Sequence, residues 1–533
     1  CHNPTIFRAT EQWFIGMDRV AHGDTTSLRE NALAAIKKIK WHPTWGEDRI
    51  GNMIATRPDW CISRQRVWGV PIVMFYCGEC NAQYCDTKVL SAVVEKFKEH
   101  TADYWYDTPV ADMIPPGTKC AKCGCAEFRK ESDILDVWFD SGSSHLAVLT
   151  EKNGLPWPSD MYMEGGDQYR GWFHSSLLIG VGLRGDAPYR ECATHGWTLD
   201  EKGQAMHKSL GNTIEPEDII KEFGADLIRL WTASVEFTED VTLSKTILQR
   251  LSEAYRKLRN TFRFALGNLH DFDPAVHAVD PANMLDIDVW ILARTEELIA
   301  RVRQFYAEFA FHRAYRAIYD FATTDLSALY FDVLKDRLYT AATDSVARRS
   351  GQTALYRVHY ALIRLLAPVL SFTAEETWAF TTMKPADAPA SVHCALFPEP
   401  AEVTAGISDA QRARLADYDR LIAVREPVLK ALEEARQAKT IGAPLEAHVT
   451  IAVNSELMPL LTEYAAELPG LFIVSEVSLE DGPLAEPVVR VDRASGVKCA
   501  RCWKYTKDTG SVAAFPDVCK ACGEALLAMG YGK

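Results

Sequence analysis

"YMEGGDQYRGWFHSSLLIGVGL" (162–183) and "YRECATHGWTLD" (189–200) decide the fold, with five residues between them. The first stretch is a strand end, then a glycine turn, then an apolar helix. The second is another strand. An apolar strand, a helix and a second strand in close succession predict a parallel, doubly wound sheet. In such sheets a ligand sits in the crevice outside the carboxyl ends of the strands. The small residues Gly165 and Gly166 would let it approach the backbone. Glu164, Asp167 and Gln168 cluster there, and a carboxylate in that place suits a ribose hydroxyl or an ammonium group. The same residues would also serve as a helix N-cap with a solvated acid.

Working outward, α/β texture covers residues 1–215 and holds an insert at 76–131. "WCISRQRVWGVPIVMFY" (60–76) ends in an apolar strand entered through arginines. "ILDVWFDSGSSH" (134–145) runs from strand to turn. The insert predicts a small ribbon with one helix over 87–100, "TKVLSAVVEKFKEH". From 216 to about 400 apolar residues recur every three or four positions, as in a helical bundle. "MKPADAPAS" (383–391) is a proline-rich connector. Residues 401–487 predict a small α/β module, with a long charged helix over 406–439 and strands over 448–453 and 471–479. Residues 488–533 form a cysteine module.

The bulk properties narrow the function classes. The chain has 533 residues, enough for three or four domains. Net charge is −14, which excludes a broad cationic coat for nucleic acid but not a local track. Residues 250–263 carry five basic side chains and one acid, and residues 490–533 carry eight and four. No apolar run approaches the roughly 18 residues that span a bilayer. The start "CHNPTIFRAT" has neither initiator Met nor signal peptide, so the chain is expected to be part of something longer and cytoplasmic.

Eight of the 14 cysteines form four CxxC pairs. Without a secretory signal, paired CxxC predicts zinc rather than disulfides. Cys499/Cys502 and Cys519/Cys522 are 16 residues apart, a zinc-ribbon spacing. Trp503 and Tyr505 beside them could stack on a nucleic-acid end, or the ribbon could be a structural cap. Cys77, Cys80, Cys120 and Cys123 form the second set, with Cys125 a competitor for Cys123. Cys61, Cys85, Cys192 and Cys394 are expected to be buried small hydrophobes.

One loop remains, "HGWTLDEKGQAMHKSLGN" (195–212). It centres on Lys208, and a lone loop lysine is ordinarily just surface. Its neighbours decide. "FRATEQWF", "WCISRQRVWGVPI", "DVWFDSG", "EGGDQYRGWF", this loop and "ADLIRLW" occur in one order. Together they resemble the second half of the catalytic core of class I aminoacyl-tRNA synthetases, most closely the bacterial isoleucyl type. "DRLYTAATDSVARRSGQTALY" and "LLAPVLSFTAEETW" resemble that family's anticodon-binding bundle, and the last CxxC pairs its C-terminal zinc ribbon. The resemblance spans essentially the whole chain.

It implies a Rossmann-like catalytic half-domain with a zinc insert, then an anticodon bundle, a junction module and a zinc ribbon. It implies ATP-dependent ligation of L-isoleucine to tRNA(Ile) through an adenylate, with ATP and Mg²⁺ as substrate, two Zn²⁺, and a monomer. Residues 205–209 stand at the family's Lys-Met-Ser-Lys-Ser loop, whose cations stabilise the ATP phosphates. Lys208 and Ser209 match. Ala205 replaces the first lysine and His207 the internal serine. Losing one charge-assisted hydrogen bond costs roughly 1.5–3 kcal/mol, and Lys202 is a nearby substitute. Glu164, Gly165, Asp167 and Gln168 resemble the adenylate-binding strand end. Trp138 resembles part of the isoleucine pocket, His195 and Gly196 the adenine- and ribose-side contacts, and Arg64 and Trp68 bracing residues. The family's His-Ile-Gly-His signature is missing, and Cys1-His2 resembles the exit strand of an editing insertion. The chain alone is therefore expected to be inactive. The alternatives are a valyl or leucyl synthetase of the same class and a non-catalytic tRNA-binding fragment. A zinc-ribbon DNA-binding protein explains neither the loop nor the strand-end cluster.

Overall fold

The computed structural model describes residues 9–21, 23–381, 384–483 and 486–532. The reading of Cys1-His2 falls outside them. The chain divides into two units, residues 1–197 with 238–240, and residues 198–237 with 241–533.

The first unit carries the predicted parallel sheet. Tyr189–His195 is its central strand, flanked by Lys40–His42 and Ser159–Gly165, all parallel. The helix Trp172–Arg184 joins the two longer strands. It is buried almost all round from Phe173 to Val181, so its sequence is apolar rather than striped. Tyr162 stacks on Trp172 at 4.0 Å, and Tyr189 packs beside them beneath the sheet.

After the strand Ile134–Leu135 comes a helix, Val137–Gly142, not the expected turn. Asp136 caps it by accepting from the Trp138 N–H at 3.3 Å. The insert holds an antiparallel sheet of Gln83–Tyr84, Phe75–Cys77 and Phe128–Lys130. Its helix is Thr87–His100, and Phe75, Val89, Val93 and Trp105 form its core.

In the second unit Thr198–Leu199 pairs with Val241–Thr242. That pairing is why the chain parts near residue 197 and not at 215. Long helices follow, chief among them Lys245–Asn268, Asp286–Ala307 and Val346–Leu366. One continuous core runs from Ile219 to Val474, so residues 216–400 and the module after them share an interior. The expected helix over 406–439 is two, Asp409–Ala413 and Leu415–Gln437, with Ser408 and Gln411 forming a capping box at the first. The expected strand over 471–479 begins only at Glu476. Leu468–Phe472 is a helix, ended by Ile473 in the left-handed region at φ +59°. Glu476–Asp481 pairs parallel, and Val488–Arg493 antiparallel, with Ala447–Val453.

The segment 344–356 builds a buried polar network. Asp288 is fully buried and accepts both arms of Arg337 at 2.7 Å, with Tyr330 Oη and Ser350 Oγ donating as well. Arg348 and Gln352 likewise hold Asp271. Asp288→Ala strands a buried guanidinium, so it should cost about 3–5 kcal/mol in urea denaturation. A loss below about 1 kcal/mol would contradict this account of the bundle.

Of the four lone cysteines expected inside, only Cys192 is buried. Cys61 is half-buried at the edge of a two-residue strand, and Cys85 and Cys394 are exposed. Among the described residues no helix is long and apolar enough to cross a membrane.

Candidate functional site

The sheet's parallel register sets the first cluster. Glu164 lies opposite Thr194, and Gly165 opposite His195, at the carboxyl ends of adjacent strands. Gly165 is buried and Glu164, Asp167 and His195 are exposed around it. A Cβ on Gly165 would stand 2.9 Å from Asp167 Oδ1. Gln168 turns inward: its Oε1 accepts from the Trp172 N–H and its Nε2 donates to Asp167, both at 2.9 Å. Gln168 therefore starts the following helix as well as lining the strand end. Below them the buried Tyr169 hydroxyl bonds Thr194 Oγ1 at 2.9 Å. Gly196 answers a close approach, since a Cβ there would meet Glu239 O at 2.2 Å.

Trp138 borders a cleft of about 280 Å³ with Arg57, Arg64, Asp136, Gly171 and His174. A Cβ on Gly171 would lie 3.0 Å from the Trp138 ring, so glycine is needed for this wall. Arg64 pairs with Asp136 at 3.1 Å, whereas Trp68 is 91% exposed. His174 is buried, with its Nδ1 3.1 Å from Tyr169 O and its Nε2 3.3 Å from Arg57 Nη1. Burial, then the charge on Arg57, pushes its pKa down to about 4. Burial likewise pushes His359 down to about 3. Both rings stay neutral when folded but take up protons when unfolded. The folded state should therefore lose stability as pH falls from about 6.5 towards 4, by up to ~1.4 kcal/mol per pH unit per histidine. Denaturant midpoints across that window check the slope, and a flat profile would contradict it.

The lysine loop belongs to the second unit. It is an exposed but tethered turn. Asp200 Oδ1 accepts from the Lys202 and Gln204 N–H groups at 2.9 Å. Asn212 Nδ2 donates to Asp200 Oδ2 at 2.9 Å, and Asn212 Oδ1 accepts from the His207 N–H at 2.8 Å. The Asn212 bond, then the backbone bond from Gln204, holds the Asp200 carboxyl below its ordinary range. Met206 packs on the core and pins the middle. Lys208 and Ser209 open a short 3-10 turn, Lys208–Leu210. Ser209 Oγ lies 3.2 Å from His207 Nδ1, so the unusual histidine fixes the serine. Among the described residues Lys208 has no ion-pair partner and its side chain is exposed.

The two cysteine sets close as predicted. The sulfurs of Cys77, Cys80, Cys120 and Cys123, and those of Cys499, Cys502, Cys519 and Cys522, all lie within 4.8 Å of one another. Sγ separations of 3.5 Å (Cys77–Cys123, Cys80–Cys120) and 3.7 Å (Cys502–Cys519) approach the roughly 3.8 Å edge of a tetrahedron with 2.3 Å metal–sulfur bonds. The Cys80 backbone N–H, foremost, draws the Cys77 thiol down to about 6. Cys125 is outside its set and bonds the Glu127 backbone instead. Each set can hold a tetrahedral metal ion.

Arg49, Arg57 and Arg170 line a further cleft that spacing did not reveal. They are scattered in sequence and meet only in the fold.

Residues 1–244 match the family model described as tRNA synthetases class I (I, L, M and V). Residues 288–451 match the anticodon-binding domain of tRNA ligase. The protein named isoleucine--tRNA ligase from Syntrophotalea carbinolica is 48% identical over 99% of this chain and 56% of its own length. That of Geobacter sulfurreducens is 48% identical with the same coverage. The chain thus spans a little over half the length of these relatives. Among solved structures, the Mycobacterium tuberculosis methionyl-tRNA synthetase in complex with methionyl-adenylate aligns with TM-score 0.48 and 19% identity over 70% of this chain and 67% of that one, too distant a likeness to bear on the site.

Proposed function

The chain belongs to the class I tRNA synthetases of the isoleucine, leucine, methionine and valine group, and from that premise we propose that it works as part of an isoleucine--tRNA ligase. The carrying observation is the identity of 48% along 99% of the chain with proteins of that name. In this reading isoleucine attacks the ATP α-phosphate in line, and the acyl group then passes to the terminal ribose of tRNA(Ile). Glu164, Gly165, Asp167 and Gln168 hold the adenylate, and Trp138 meets the isoleucine side chain across Gly171. His195 and Gly196 lie on the adenine and ribose side. Lys208, steadied by the Asp200–Asn212 tether, stabilises the leaving pyrophosphate, with Mg²⁺ brought by ATP.

Zinc suits both cysteine sets, because four thiolates at these separations fit a structural tetrahedral site with no open position. The helix Lys245–Asn268 and the terminal ribbon would contact the anticodon arm through phosphates and stacked bases. The test is aminoacylation. Joined to the remaining portion of the ligase, the chain should charge tRNA(Ile) with isoleucine in preference to valine or leucine. Equal charging with either competitor would contradict the assignment.

A further inference from the structure

We propose that Arg49, Arg57 and Arg170 in the first unit form a binding site for a multiply charged phosphate-class anion, supplied either by a free polyphosphate or by successive phosphodiesters of an RNA strand. The cleft they line measures about 670 Å³ and also includes Asn52 and His174. Three guanidiniums meet there, and the charge of Asp136 reaches one of them, Arg57. Among the described residues none of them makes an ion pair. The nearby acids are engaged elsewhere: Asp136 pairs with Arg64 at 3.1 Å, and Asp59 accepts from the Met17 N–H at 2.8 Å. Arg57 Nε is buried with no hydrogen-bond partner. An unsatisfied buried cationic donor is costly unless a ligand completes it.

Aromatic rings hold two of the three cations. Arg57 lies over Trp60 at 5.3 Å, and Arg49 over Tyr169 at 5.1 Å and Trp45 at 5.5 Å. The rings hold Arg49 and Arg57 from one side, and Arg57 Nη1 contacts His174 Nε2 at 3.3 Å while its Nε stays without a partner. His174 adds no charge, since its pKa lies near 4. A single carboxylate would neutralise one of the three cations. Adjacent phosphates offer the charge and the bidentate oxygen edges that several arginines match.

This site rests on the geometry of the first unit and not on the ligase reading. Its test reads binding and not activity. Sodium pyrophosphate is titrated into the 533-residue chain by calorimetry. Arg57→Gln and Arg170→Gln should each weaken binding at least tenfold, and Arg436→Gln, at an exposed position on the second unit, should not. Arg170 is exposed and its variant should keep the parent Tm, which separates lost binding from lost folding. A single-stranded RNA oligonucleotide is then added as competitor. Displacement of pyrophosphate identifies the RNA strand as the source, and retention identifies a free polyphosphate. Pyrophosphate bound equally by the parent and by the combined Arg49/Arg57/Arg170→Gln variant, or by neither, would overturn the proposal.

Discussion

Lys208→Ala, placed in the complete ligase, should lower isoleucyl-adenylate formation on the order of 10²–10³-fold, the usual cost of removing one preorganised charge-stabilising donor. Ala205 leaves the loop one cation short, so the burden falls on Lys208. The ammonium is exposed and has no ion-pair partner among the described residues, free to meet a phosphate. Its loop is not slack. Asp200 and Asn212 tie both ends, and His207 contacts Ser209 at 3.2 Å. A tethered loop loses little ordering entropy when charge develops on the leaving group. Single-turnover adenylate formation should show the loss in the chemical step more than in the KM for ATP. Activity within threefold of the parent would shift the catalytic charge to Lys202 or elsewhere.

Metal removal gives the second large effect. In the terminal module the buried cluster is Cys499, Val518, Cys519 and Cys522, so three of its four members belong to the cysteine set that can hold a metal. With so small an apolar interior among the described residues, the fold of residues 497–532 is expected to depend on the ion. Structural zinc contributes on the order of 10 kcal/mol in small modules of this kind. Stripping it with a strong chelator should leave the module open to protease while the helical bundle stays intact. Cys499→Ser should reduce zinc by elemental analysis from two ions per chain to one. The module is further anchored by the Lys504–Asp336 pair at 2.7 Å and by Arg501, which donates to the Thr340 carbonyl. Those contacts will slow its release but cannot replace a core. An unchanged zinc content, or an unchanged proteolysis pattern after chelation, would contradict the assignment.

How far the sequence carried depends on where the information lies. The parallel strands around Gly165 and His195 were legible because strand, glycine turn and helix follow one another locally. The cysteine sets were legible because CxxC spacing encodes metal geometry within a single turn, and only the structure chose Cys123 over Cys125. The end of the helix before Ile473 was not legible, because a left-handed isoleucine gives no local signal. Nor was the depth of Cys61, Cys85 and Cys394, which depends on what packs over them. "DSVARRSGQTALY" served as a family signature, but its Arg348, Ser350 and Gln352 act as internal struts. The arginine cleft was invisible for a related reason. Residues 49, 57 and 170 converge only through tertiary packing.

Isoleucine-dependent ATP–pyrophosphate exchange tests the central claim most directly. It would be run on this chain alone and on this chain joined to the remaining portion of the ligase. The account predicts exchange only in the joined protein, greater for isoleucine than for valine, and abolished by Lys208→Ala. A joined, folded protein that binds tRNA(Ile) yet shows no isoleucine-dependent exchange would contradict it.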